Sequence, residues 1–204
     1  MSAGCRWARS ITRYGRTAVL IAGFLGAVPH IACAAGATLE DSLAGVTIGI
    51  SADDLLTQYP NLRRSARPSV GIVQYEGCHH KSSEVFTFIQ QSSQELITAI
   101  WIHGPESPKD CSDDPVGLPD VELSAVTPRG IRLGDSTAQV MERYGKPDRK
   151  KTLADGKNML EYRSKIGDDG VLNDVRLYFR LSGGGVADMT LSAGLSVKPK
   201  KTNR

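Results

Sequence analysis

Cys78-His79-His80, with His103 and Cys111 further along, gathers the residues of this 204-residue chain whose types best suit chemistry. Thiolates and imidazoles ligate zinc-like ions, and the same two thiols can instead oxidise to a disulfide. Adjacent residues rarely ligate one tetrahedral ion well, and none of the usual zinc spacings occurs here. A periplasmic metal-binding protein using the Cys78/His79/His80 region is therefore an alternative reading. A small secreted hydrolase is another, with Asp53, Asp54, Glu84 and Glu95 as its available carboxylates. Single acids at such positions do not make an acid/base pair, and no nucleophile-elbow motif accompanies His79, His80 or His103. The expectation is a non-enzymatic chain with no cofactor and no metal.

The elements around these residues favour the bridge. Glu84–Gln90 and Glu95–His103 are rich in β-branched and aromatic residues and read as a hairpin joined by Gln91–Gln94. An antiparallel hairpin returns its ends to one place, so Cys78 before it and Cys111 after it can approach disulfide distance. Neither strand alternates cleanly, so both faces of the hairpin look apolar. The reading is that both are covered, the second half of the chain supplying the cover.

Oxidation needs an oxidising compartment, and the N-terminus carries an address. Arg6, Arg9, Arg13 and Arg16 precede an apolar run from Thr17 to Val28, and Ala32-Cys33-Ala34 supplies small residues for cleavage. Residues 1–34 read as a secretory signal, and the localisation expected is periplasmic or secreted. His30 stands where a lipobox wants an aliphatic residue, so membrane association follows only if Cys33 is lipidated. Removing the four arginines leaves 21 of the 25 basic residues against 22 acidic ones. Nucleic-acid binding then has no basic face to rest on.

The rest is organised around Gly130–Pro147. Ile131 and Leu133 lead to Gly134, and Ser136 with Gln139 predicts a capping box. Val140, Met141 and Tyr144 form the apolar side of one helix, which Gly145 and Pro147 end. Gly45–Asn61 repeats the pattern 85 residues earlier: Gly45, Gly49, Ser51, Leu55 and Tyr59 match Gly130, Gly134, Ser136, Val140 and Tyr144. The expected division is a first repeat at 35–103, a Pro/Asp-rich linker at 104–120, a second repeat at 121–197 and a basic tail at 198–204. In the first repeat Pro60–Ser69 reads as a polar segment and Val70–Glu76 as a strand. In the second, Val121–Val126 reads as a strand and Pro147–Lys157 as a loop. Asn158–Arg163, Asp174–Leu181 and Val186–Ser192 then read as three strands. Val175, Leu177, Phe179 and Leu181 alternate with Arg176, Tyr178 and Arg180, which marks a half-buried sheet. Arg176, Tyr178 and Arg180 on its outer side are the candidate partner surface, being types enriched at interface hot spots. The fold class expected is α+β: two tandem repeats, each a short helical segment packed on an antiparallel sheet of about three to four strands.

The pattern Gly-apolar-x-apolar-Gly-x-Ser, then Val/Leu, Tyr, Gly and Pro, resembles the outer-membrane assembly lipoproteins of the SmpA/OmlA type. Its tandem form is similar to the β-lactamase-inhibitor protein. Gly145-Lys146-Pro147 fits, whereas the first copy departs with Pro60-Asn61-Leu62. The resemblance implies an exported adaptor, an envelope-assembly accessory or an inhibitor-like binder, whose partner is another envelope or secreted protein.

Overall fold

A computed structural model describes residues 40–91, 93, 95–105, 111, 117–164 and 172–195. The expected signal at 1–34, most of the linker and the tail at 198–204 lie outside the described residues. Two short strands, β1 (Ser42–Leu43) and β2 (Val46–Thr47), pair with each other, and helix α1 (Ala52–Gln58) follows. Next come β3 (Arg63–Arg67), β4 (Ile72–His79), β5 (Glu84–Gln91) and β6 (Ile97–His103). Helix α2 (Thr137–Tyr144) precedes β7 (Arg149–Thr152), β8 (Asn158–Ser164), β9 (Leu172–Ser182) and β10 (Gly185–Leu195).

The eight longer strands form one antiparallel sheet in the order β3-β4-β5-β6-β10-β9-β8-β7. This overturns the expected α+β class of two tandem repeats, each with a helical segment on its own sheet. Strand makes up 51% and helix 13% of the described residues, which are thus mostly β. The physical reason lies at β6 and β10, which pair through five consecutive residues from Asp188↔His103 to Ser192↔Ala99. Two separate small sheets would each leave such a strand as an unpaired edge, and a shared ladder removes both edges.

The local form around each helix start is the same. Gly49 and Gly134 both take positive φ, at 88° and 86°. Ser51 and Ser136 are the N-caps, and Ser136 with Gln139 makes the full capping box. The turn before α1 docks on β6, with Gly49 N–H donating to Ile97 O at 2.8 Å. The turn before α2 docks on β10, with Gly134 N–H donating to Val186 O at 2.8 Å. A Cβ on Gly185 would lie 2.9 Å from Gly134 O, so glycine is what allows that approach.

The core lies on one face of the sheet. Tyr75, Phe88, Ile100, Leu191, Leu177 and Tyr162 form one continuous cross-strand row from β4 to β8, all within the core. Leu55 of α1 and Val140 and Tyr144 of α2 pack on this face, beside Leu43, Val46 and Ile48. Val121, Leu123 and Ala125 also fill it, yet 121–125 forms no strand: Leu123 N–H donates to Val121 O and Val126 N–H to Ser124 O, two tight turns where a strand was expected. Tyr144 donates to the Glu40 carboxylate, and Arg129 lies 3.3 Å from the other oxygen. Burial pushes the Glu40 carboxyl up, against lowering by Tyr144 and Arg129.

Two strands occupy segments whose sequence reads as loop. β3 lies inside Pro60–Ser69 and β7 inside Pro147–Lys157. Both are outermost strands with almost every residue exposed, so no apolar alternation marks them. Their RRSAR and RKKT sequences place like charges along the free edges, which opposes edge-to-edge pairing with another chain. Both faces of β5 are buried: Phe86 and Phe88 lie in the core, to which Val121, Leu123, Ala125 and Val140 of the second half contribute, while Val85, Thr87 and Ile89 on the other side are also buried, Val85 against Cys78 and Leu118. The second half thus covers the core side of the hairpin and also extends the sheet sideways.

Candidate functional site: the open sheet face

Opposite the helices, the sheet presents a second face built from the alternate residues. From β4 to β8 its central row reads Glu76, Thr87, Trp101, Thr190, Tyr178 and Glu161. Arg63 and Arg149 continue that row onto the edge strands. A neighbouring row carries Val85, His103, Asp188, Arg180, Met159 and Lys151. The expected partner residues Arg176, Tyr178 and Arg180 therefore share this face, while Phe179 and Leu177 between them are buried in the core.

Two bulges decide which side chains reach the face. Register shifts between Ile89 and Gln90 along the β5–β6 ladder, so Ile97 joins Ile100 and Ile102 in the core while Ala99, Trp101 and His103 face outward. This slip is why β6 does not alternate cleanly, whereas on β5 Val85 and Ile89 stand on the outer side and are buried there. A second shift separates Val186 from Asp188. Strict alternation from buried Val186 would send Asp188 inward, and the bulge turns it to the open face instead.

There Asp188 meets His103 and Arg180. His103 Nδ1 lies 3.0 Å from one carboxylate oxygen, and Arg180 Nε donates to the other. Burial would raise the Asp188 carboxyl, but these two partners outweigh it and hold it below the usual carboxylate range. A lowered acid contributes stability that is fully present above the unfolded value of about 3.9 and is lost as pH falls through the lower folded one. Asp188→Asn is accordingly expected to cost about 1.5–3 kcal/mol at neutral pH. It should also flatten the acid limb of stability against pH, as read from urea midpoints; an unchanged limb would remove Asp188 from that role.

A recess of about 440 Å³ opens among Trp101, His103, Met159, Tyr178, Arg180 and Thr190, with Asp188 at its floor. A second, of about 320 Å³, shares His103, Asp188 and Arg180 and reaches Lys157 and the Gly183–Gly185 turn. Neither Trp101 nor Asp188 was singled out from sequence as a site residue. Trp101 sat in an ambiguous strand, and Asp188 needs the pairing of β6 with β10, which no local pattern announces.

Cys78 and Cys111 form a disulfide with Cα atoms 5.8 Å apart. Their sulfurs and His80 lie within 4.8 Å of one another, but bridged thiols are not thiolate ligands. The histidines are engaged as well: His79 Nδ1 lies 2.7 Å from Ser82 Oγ, and His80 Nε2 lies 3.0 Å from Leu118 O. Among the described residues no serine, threonine or cysteine is hydrogen-bonded to His103, as nucleophilic catalysis by such a pair would require. Of the four carboxylates, Asp54 is taken up by Ser51 at the start of α1, while Glu84 opens β5 and Glu95 lies beyond its other end. Glu95 lies beside the start of α1, where Ala52 N–H donates to Glu95 O at 3.0 Å, whereas Glu84 sits at the far end of β5. Among the described residues no helix is long and apolar enough to cross a membrane. No known family, curated protein or solved structure matches this chain.

Proposed function

We propose that this chain is an exported, non-enzymatic protein-binding module that docks another envelope or secreted protein on the open face of its sheet. The observation that carries this reading is the setting of Trp101 on β6 with Tyr178 and Arg180 on β9, half-buried around one recess that spans β10 between them. Trp, Tyr and Arg are the types that dominate interface energetics. Strands hold them in place, so docking sacrifices little freedom of the backbone. Export fits the arginine-flanked apolar run before Ala34, and the bridged Cys78 and Cys111 fit an oxidising compartment. The resemblance to SmpA/OmlA-type proteins supports the adaptor role. Membrane association belongs to the reading only where Cys33 is acylated.

Photocrosslinking tests the face directly. Benzoylphenylalanine at position 178 of the full chain, expressed in its native host, should yield a defined adduct with one envelope or secreted protein. The same probe at exposed position 142 on α2 should not. Equal labelling from both positions, or none from 178, would sink the reading. With that partner in hand, Tyr178→Ala should weaken association by about 2 kcal/mol while leaving the urea midpoint unchanged.

A further inference from the structure

We infer that the occupant of the open face is an acidic loop of the partner, one of whose Asp or Glu carboxylates seats on Arg180 between Trp101 and Tyr178. This rests on the docking reading above and adds the chemistry of the partner.

The argument is one of charge placement. The chain beyond residue 34 is nearly neutral, with 21 basic against 22 acidic residues, so composition gives no preference for anions. Around Arg180 and Arg163 the open face is different because the two signs sit at different depths, whereas the neighbouring Arg176–Asp174 pair is exposed on both sides, at 39% and 41%. The Asp188 and Glu161 side chains are only 11% and 4% exposed, sunk between neighbouring strands. The Arg180 and Arg163 side chains that pair with them are 39% and 43% exposed. Carboxylates at the floor and guanidiniums at the rim leave a cationic surface toward solvent. Arg149 and Lys151 on the exposed edge strand extend it on the same side. A partner approaching this face meets positive charge first, which steers acidic surfaces and repels basic ones.

Arg180 is the seat within that surface. Its Nε serves Asp188, and its terminal amino groups have no acceptor among the described residues. A guanidinium with its Nε side occupied still offers the end-on fork that fits a carboxylate. Trp101 and Met159 flank the recess and exclude water from the pair once it forms, which strengthens it.

Trp101 provides the readout. The only other tryptophan is Trp7, so the full chain carrying Trp7→Phe reports fluorescence from the recess alone. Titration with a short glutamate-rich peptide containing one leucine should shift that emission saturably and in a salt-sensitive manner, whereas the same peptide with glutamine for glutamate should not. Met159→Glu sets an acid directly across from Arg180 and should weaken peptide binding by about tenfold or more. Arg180→Lys should weaken it in the same direction, and Arg64→Ala, in register with core-facing Tyr75, should leave it unchanged. Equal binding of the glutamine peptide overturns the inference, as does indifference to both Met159→Glu and Arg180→Lys. Heparin fragments or phosphatidylglycerol vesicles that displace the glutamate peptide and share its dependence on Arg180 overturn it in favour of general anion binding. A photo-adduct from position 178 with no response to the glutamate peptide defeats the acidic loop alone and leaves the docking reading standing.

Discussion

Phe179→Ala is expected to destabilise the protein by about 3–5 kcal/mol, close to the whole stability of many domains of this size. Phe179 is fully buried in β9. Its ring lies 5.3 Å from that of Tyr144 on α2 and 6.0 Å from that of Tyr162 on β8, centroid to centroid. It thus ties the second helix to the sheet. Removing it forfeits the transfer of a large apolar group and leaves a cavity whose rigid strand walls can close only in part. Tyr162 cannot shift easily to fill the gap, since its hydroxyl donates to Gly145 O at 3.1 Å. Burial pushes the Tyr162 phenol up to about 12, which keeps it a neutral donor. Urea unfolding of the alanine variant beside Tyr178→Ala makes the measurement internal: adjacent residues on one strand should differ by several kcal/mol. A loss below about 1 kcal/mol for Phe179→Ala would mean that the core is not packed as described.

Loss of the Cys78–Cys111 bridge should be nearly as severe, about 3–4 kcal/mol in the loop-entropy picture for a sequence separation of 33. The bridge restricts the unfolded chain, and in the folded state it fastens the segment after β6 beside β4. Leu118 and Val85 pack around it, and Cys78 N–H donates to Pro119 O at 2.9 Å. Reduction should therefore lower the urea midpoint sharply and expose the 117–121 strap to proteolysis before the rest of the sheet. Thiol counting on denatured, non-reduced protein gives the opposing result a clear form. Two reactive thiols released together with zinc would replace the bridge by the metal site that Cys78, His80 and Cys111 could otherwise make.

These two expectations depend on different amounts of the structure. The disulfide is legible in sequence because hairpin topology alone brings its ends together, whatever lies beside them. The helix starting at Ser136 is legible for a similar reason: a capping box, an apolar stripe and a terminating glycine are all local. So is the alternation that sends Phe179 inward and Tyr178 outward.

What the sequence alone determined, then, was local geometry: which residues cap, turn, bridge or alternate within about a dozen positions of each other. The tertiary structure decided everything that depends on neighbours far apart in the chain. Two sheets became one because β6 and β10, whose sequences do not name each other, share a ladder that satisfies both of their edges. Edge strands Arg63–Arg67 and Arg149–Thr152 were hidden, since an element exposed on both sides needs no apolar period. Bulges near Ile97 and Asp188 reversed the facing that alternation predicts, moving one residue into the core and the other onto the open face. The recess around Trp101 and Arg180 exists only after those pairings and slips have been made, because its walls come from β6, β8, β9 and β10 at once.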